Sequence, residues 1–143
     1  MTKIEPLNSP CYCINFRQTA NSLTKYYDKG FSQINLTANQ FFLLNSIHQL
    51  ESCNKSRLAK YTRLDRTTII RNLDILIKKG LIVEVTGTTK RNKEIELTTT
   101  GQNAIASGTV IWQLLQSEVK QHLGVENLDV LWRIFENLET LEN

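Results

Sequence analysis

The sequence predicts a mostly α-helical protein with one small β-hairpin, an α+β fold. Over most of the chain, apolar residues recur every three or four positions, which is the period of a helix with one buried side. Between residues 81 and 98 the period changes to two, in runs rich in Val, Ile and Thr. A length of 143 residues, of which 41% are hydrophobic, is typical of a single domain, so residues 1–143 are expected to share one core.

Capping residues indicate where the first two helices begin. Ser9 stands before Pro10 and is expected to cap a first helix that ends near Gly30. Thr37 and Gln40 have the spacing of a capping box and precede a second apolar-periodic segment. The sequence therefore predicts two helices separated by a short loop.

Two further caps predict a pair of helices joined by a tight turn. Asn54 is expected to cap a short helix that ends at Tyr61, and Asp65 a longer one that ends at Gly80. The positions expected to be buried on this fourth helix are Ile69, Ile70, Leu73 and Leu76. Such a pair is a candidate helix-turn-helix.

A hairpin and two more helices complete the chain. The β-rich runs 81–86 and 94–98 are separated by a basic segment and predict two paired strands. The apolar stripes of the first and the last two predicted helices are broader than a small domain of this kind can bury. We therefore expect residues 10–30 and 100–143 to pack against a second copy of the chain. An intramolecular bundle is the alternative.

Charge is concentrated in the middle of the chain. Residues 54–93 hold eleven Lys and Arg against three Asp and Glu, a net charge of +8, whereas the rest of the chain carries −5. A basic centre is typical of a surface that binds a polyanion, and an ordinary solvated surface is the alternative. The same residues contain the helix, turn, helix and hairpin of a winged helix-turn-helix, whose second helix enters the major groove of DNA. Residues 36–99 are thus the expected DNA-binding lobe.

Polar residues early in the fourth predicted helix are expected to lie at the bases. Arg66 or Arg71 suits bidentate pairing with guanine. The other early polar residues of this helix are Thr67, Thr68 and Asn72. The residues expected to contact phosphates are Lys55, Arg57 and Lys60. At the hairpin tip, the residues suited to a narrow minor groove are Arg91 and its neighbours Lys90 and Lys93.

Five short stretches carry a family resemblance. They are residues 36–44 (LTANQFFLL), 58–59, 64–73 (LDRTTIIRNL), 79–82 and 97–101. In their order and spacing they resemble the multiple-antibiotic-resistance regulator (MarR) family of bacterial transcription factors. The resemblance implies a homodimer with intertwined first and last helices, paired winged lobes on a pseudo-palindromic operator, and regulation, often repression, relieved by a small molecule or an oxidant. The chain departs from the family at Thr89, where members commonly carry an Asp before the wing Arg.

Two cysteines open the first predicted helix, where the helix dipole favours the thiolate. The resemblance puts Cys13 at the reactive position of the family's hydroperoxide-sensing members and Tyr27 at one of their two thiolate-engaging tyrosines, the second of which would fall at Ala38. Cys13 and Cys11 are therefore candidate redox sensors, and a structural Cys13 facing the second copy is the alternative. The odd cysteine count and the lack of an export signal predict a cytoplasmic protein without disulfides.

Other function classes find little support in the sequence. It has no Gly-rich phosphate loop and no HExxH or CxxC pair, so we expect neither an enzyme nor a bound metal or cofactor. No apolar run has the length of a membrane span. The aromatic residues Phe16, Tyr26, Tyr27 and Trp112 are either core or the lining of a ligand pocket. The competing class is a protein-interaction adaptor that uses the winged fold without DNA.

Overall fold

The computed structural model describes residues 9–87 and 93–142. The elements in these ranges are α1 (Tyr12–Phe31), α2 (Ala38–Leu50), α3 (Lys55–Thr62), α4 (Arg66–Lys78), β1 (Ile82–Thr86), β2 (Lys93–Leu97), α5 (Thr99–Leu123) and α6 (Leu128–Glu139). Short 3-10 turns at Ser32–Ile34 and Val125–Asn127 follow α1 and α5. The predicted fold class, mostly helical with one β-hairpin, is confirmed.

Local sequence determines where α2, α3 and α4 begin. The Gln40 N–H donates to the Thr37 hydroxyl at 3.2 Å, and the Thr37 N–H donates to the Gln40 side-chain oxygen at 3.1 Å. The side chains of Asn54 and Asp65 each accept a backbone N–H, at 2.8 and 2.7 Å. All three predicted caps are therefore confirmed, and each satisfies N–H groups that a helix start leaves without an intrahelical partner.

The first helix starts later than predicted. Ser9 was expected at the N-cap, but Cys11 occupies that position and makes no side-chain capping bond. The Ser9 hydroxyl instead accepts the N–H of Cys11 at 3.1 Å. A serine that bonds the backbone two residues ahead forms a local turn of its own, which places Pro10 before the helix.

The core lies between the helix pair α3–α4, α2 and the hairpin. Its most deeply buried apolar side chains are Leu43, Leu44, Ile47, Leu58, Ile69, Leu73, Leu76, Ile82 and Ile95. Phe31 of α1 stacks on Phe41 of α2 with ring centroids 4.6 Å apart, which joins the first helix to this core. A Cβ added at Gly108 of α5 would lie 2.4 Å from the Phe41 ring, so the α5 backbone packs directly on the same aromatic pair.

The predicted burial of Ile70 is wrong, because its side chain is 40% exposed. Successive helical residues point about 100° apart, so Ile70 lies well to one side of the stripe that contains Ile69. Ile69, Leu73 and Leu76 are spaced by four and three and occupy the inward side of α4. Ile70 is left on the outward side.

The hairpin is fixed to the start of α3. β1 and β2 pair antiparallel, with Ile82 opposite Leu97 and Thr86 opposite Lys93. Cys53, just before α3, exchanges two backbone hydrogen bonds with Ile95 of β2, at 2.7 and 3.4 Å. This bridge holds the middle of β2 against the helix-turn-helix. Burial raises the pKa of the Cys53 thiol, which is a core group.

The two ends of the described chain carry large apolar side chains that face solvent. α6 has no buried residue, and Trp132 at its centre is 64% exposed. On α1, Tyr12, Ile14, Phe16 and Leu23 are exposed as well. Within residues 9–87 and 93–142, no intramolecular bundle, the alternative considered above, covers these side chains. None of the helices in these ranges is both long and apolar enough to cross a bilayer.

Candidate nucleic-acid interface

A three-residue turn, 63–65, sets α3 and α4 at an angle. Arg63 ends α3 in the left-handed conformation, with a φ of 57°, and its N–H donates to the Ala59 carbonyl at 2.9 Å. Leu58 of α3 and Ile69 of α4 are buried on either side of the turn. The helix-turn-helix predicted from the two caps is thus confirmed. Its second helix, α4, presents one long side to solvent.

The N-terminal half of α4 exposes two arginines. Arg66, Thr67 and Arg71 all face solvent. Among the described residues, neither guanidinium forms a salt bridge with a carboxylate. A guanidinium presents a planar fork of donors that fits guanine or phosphate. Both arginines therefore present their donors to solvent.

Asn72 does not share this exposed side, and its predicted position there is wrong. Its side chain is only 7% exposed, and its Nδ2 donates to the Thr68 carbonyl at 2.9 Å. Asn72 follows Ile69 by three residues and precedes Leu76 by four, which is the spacing of the buried stripe. That spacing is the sequence signal that could have placed it inward.

Thr68 is engaged by the cap of its own helix. Asp65 accepts the Thr68 N–H at 2.7 Å and the Thr68 hydroxyl proton at 2.8 Å. These hydrogen bonds, from the backbone and then from the hydroxyl, lower the pKa of Asp65, and the positive charge of Arg71 lowers it further. Of the two predicted threonines, Thr67 is the one whose side chain is exposed.

Glu84 on β1 joins Lys55, a predicted phosphate contact, to Lys93, which was predicted to lie near the minor groove. Its carboxylate oxygens lie 3.6 Å from Lys55 Nζ and 3.8 Å from Lys93 Nζ. Ion pairs with this much exposure contribute about 0.2–1 kcal/mol, so Glu84 orients the lysines more than it stabilises the fold. Sequence reasoning missed Glu84, because an acidic residue on a strand carries no spacing that reveals its partners.

The remaining predicted DNA contacts fall into two groups. Arg57 and Lys60 are exposed on α3, the helix that also carries Lys55. Lys90 and Arg91 lie outside the described residues, and so does Thr89. In the described part of the chain, no cluster of three or more His, Cys, Asp or Glu could hold a metal ion.

The candidate redox residues are separated along α1. Cys11 and Cys13 are exposed, whereas Tyr27 is half-buried and its hydroxyl donates to the Gln116 side chain of α5. Burial raises the pKa of Tyr27. Tyr27 lies fourteen positions after Cys13 on α1, about 21 Å along the axis, so the two side chains do not meet within one protomer.

A cavity of about 500 Å³ lies where α1 and α5 meet α2. Tyr27 and Trp112, two of the four aromatic residues considered for a ligand pocket, line it together with Phe42 and Asn45. Phe16 and Tyr26 do not line it, and the Tyr26 hydroxyl donates to Glu118 instead. The cavity therefore belongs to the junction between the terminal helices and the winged lobe.

Comparison with known proteins decides the family. Residues 36–85 match the family model described as MarR family. The transcriptional regulator MosR of M. tuberculosis, solved in complex with DNA, is 33% identical over 90% of this chain and 92% of its own, with a TM-score of 0.78. This chain belongs to the MarR family. A second MosR structure gives 30% identity, 93% and 96% coverage and a TM-score of 0.79.

The fold extends to more distant members of the MarR family. A mutant of MarR from E. coli, solved with operator DNA, superimposes with a TM-score of 0.80 over 88% of this chain and 91% of its own. Its identity is 22%, so the likeness concerns the fold. The winged helix-turn-helix and the long terminal helices of this MarR-family chain are thus shared along nearly its full length.

We predict that Asp65 gives the stability of the protein a specific pH dependence. Because its pKa is lowered in the folded state, the carboxylate stabilises the fold at pH values above about 3.9, the ordinary Asp pKa, and this contribution is lost as the pH falls through the lowered value. Urea midpoints between pH 7 and pH 3 measure the effect. Asp65→Asn keeps a good capping residue without the charge, so its deficit relative to the parent should shrink at low pH.

Asp65→Ala serves as the control that removes the cap altogether, and it should be less stable than Asp65→Asn throughout the pH range. If Asp65→Asn is less stable than the parent by the same amount at pH 7 and at pH 3, the pH dependence does not come from the charge of Asp65.

Proposed function

We propose that this chain is a sequence-specific, double-stranded-DNA-binding transcriptional regulator that acts as a homodimeric repressor on a pseudo-palindromic operator. The observation that carries the proposal is the outward side of α4, where Arg66 and Arg71 are exposed within the segment of net charge +8. The MosR relative crystallised with DNA supports the same conclusion. Family membership argues against an enzyme.

The proposed contacts follow from which side chains face outward. The first two turns of α4 enter the major groove, where Arg66 or Arg71 pairs with guanine and Thr67 reaches a base edge. Lys55, Arg57 and Lys60 bind phosphates, and Lys93 is proposed beside the minor groove with the hairpin tip. Lys90 and Arg91 remain proposed minor-groove contacts. Thr68 and Asn72 are left out of the proposed contacts, because the Thr68 hydroxyl donates to the Asp65 cap and Asn72 is buried.

The homodimer is proposed from the uncovered apolar surface at both ends of the chain. Trp132 and Phe135 of α6 form an edge-to-face aromatic pair with centroids 5.7 Å apart, and both are exposed. Exposed apolar surface of this extent is typical of an interaction site. A second copy would cover it with the same surface from its own terminal helices. Two lobes related by a two-fold axis would then read an inverted repeat.

Regulation is proposed to act at the junction of the terminal helices with the winged lobe. The cavity beside Tyr27 and Trp112 suits a small aromatic molecule, and the exposed Cys13 suits a hydroperoxide. In the oxidant case the thiolate takes one peroxide oxygen, which leaves a sulfenic acid on the protein and releases an alcohol. Either event changes packing on the helices that set the distance between the two α4 helices.

We predict that Arg71→Ala reduces base discrimination, whereas Lys55→Ala weakens binding to all sequences alike. A lost bidentate pair costs about 1–3 kcal/mol on the correct site, and a lost phosphate contact reduces the salt slope by about one. The measurement begins with selection of bound sequences from a random duplex library, followed by affinities on the selected and a scrambled duplex at several salt concentrations. Lys120→Ala on α5 is the matched control and should leave both affinities unchanged.

Equal losses on both duplexes for Arg71→Ala would assign that residue to the phosphates. Duplex binding that is absent, or flat with salt, would favour the adaptor function over DNA binding.

We predict that Trp132→Asp dissociates the homodimer into monomers, since a charge would have to be buried among apolar side chains. Sedimentation velocity of the parent and the variant measures the change. Trp132→Phe keeps the apolar contact and is expected to remain dimeric. A parent chain that sediments as a monomer, or a Trp132→Asp variant as dimeric as the parent, would contradict the proposed interface.

We predict that cumene hydroperoxide lowers operator affinity about 100-fold, a coupling of about 2.7 kcal/mol, if Cys13 is the trigger. Cys11→Ser should behave as the parent and Cys13→Ser should resist release. Release that persists in Cys13→Ser, or no release in the parent, removes the oxidant and leaves the small molecule as the proposed effector.

A further inference from the structure

Two isoleucines on α4 face solvent although the helix has a well-formed apolar side. Ile70 is 40% exposed and Ile77 is 36% exposed, and neither belongs to the buried core cluster. The core side of the helix is already filled by Ile69, Leu73 and Leu76. The exposed apolar surface of Ile70 therefore has no partner within the described chain.

Ile70 lies among the residues proposed to read DNA. At about 100° per residue, its side chain projects about 40° from Arg66 and about 60° from Thr67 around the helix axis. Both neighbours are exposed, and all three lie within the first two turns of α4. Ile70 thus belongs to the side of α4 that would face the floor of the major groove.

The chemistry of the groove limits what Ile70 can contact. The base edges exposed there are hydrogen-bond donors and acceptors, except for the C5-methyl group of thymine, which is apolar. A phosphate is charged and accepts hydrogen bonds, which the apolar side chain of isoleucine cannot donate. The strongly positive surroundings also favour a nucleic acid over a second apolar protein surface, because a protein partner would have to be acidic around the same point.

We propose that Ile70 is a specificity-determining residue that contacts the methyl group of one thymine in each half-site of the operator. The proposal rests on the proposed DNA-binding function and adds a base preference to it. Ile70 supplies the apolar contact, while Arg66 or Arg71 supplies the polar one. The operator should therefore contain a thymine at a constant distance from the guanine that the arginine reads.

Replacing thymine by deoxyuridine tests the contact, because it removes only the methyl group. The probe is the duplex selected from the random library, with each thymine replaced in turn. One position per half-site is expected to lose affinity about fourfold, the value of one buried methyl-sized group. In Ile70→Ala the same replacement should have no effect, and in Ile70→Val it should retain most of its effect.

Ile77→Ala is the matched control, since Ile77 has similar exposure but lies about 10 Å further along the helix. It should respond to deoxyuridine as the parent does. Thr67→Ser removes the methyl group of Thr67, which lies beside Ile70 on this side of α4. This variant should lose affinity on deoxyuridine replacement as the parent does. Circular dichroism and urea midpoints confirm that each variant is folded.

Three results would overturn the proposal. A parent protein that is insensitive to every thymine replacement has no methyl contact. An Ile70→Ala variant that remains as sensitive as the parent assigns the contact elsewhere, and loss of sensitivity in Thr67→Ser assigns it to Thr67. A library selection that enriches no sequence would instead contradict sequence-specific DNA binding itself. This result differs from the three above, which leave DNA binding in place.

Discussion

The burial of three side chains on α4, Ile69, Leu73 and Leu76, is the constraint on which the other features of the site depend. Each is almost completely buried against the core of the winged lobe. Burying an aliphatic side chain of this size is worth about 1.5–3 kcal/mol, so rotation of α4 about its axis would be costly. The orientation of the helix is therefore fixed, and with it the identity of the residues that face outward.

The charged residues take their positions from this packing. Arg66 and Arg71 are exposed because the apolar stripe points the other way, and the Asp65 cap holds the first turn in place through Thr68. The hairpin is positioned in turn by the backbone bridge between Cys53 and Ile95. Glu84 then brings lysines from α3 and from the loop end of the hairpin to one place. The basic surface is thus a consequence of how apolar groups pack beneath it.

Sequence patterns predicted the elements better than they predicted individual side chains. Asn54, Asp65 and the Thr37 capping box act on residues two or three positions away, so short-range spacing was sufficient to identify them. Ile70 and Asn72 were assigned to the wrong sides of α4 because residue type was weighed above helical phase. The partners of Glu84 come from distant segments, and no local pattern encodes such a contact. At Ser9, the hydroxyl accepts the N–H two residues ahead, and a helix N-cap would accept one two or three residues ahead. The two bonds span nearly the same number of residues, so the sequence pattern did not distinguish a local turn from a cap.

The central claim is that the exposed first two turns of α4 lie against base edges in the major groove. A photo-cross-linking amino acid at position 67 tests it most directly, with the selected duplex as target and the same probe at position 120 of α5 as reference. The account predicts a cross-link to DNA bases from position 67 and none from position 120. The absence of a cross-link from position 67, or equal cross-linking from both positions, would contradict it.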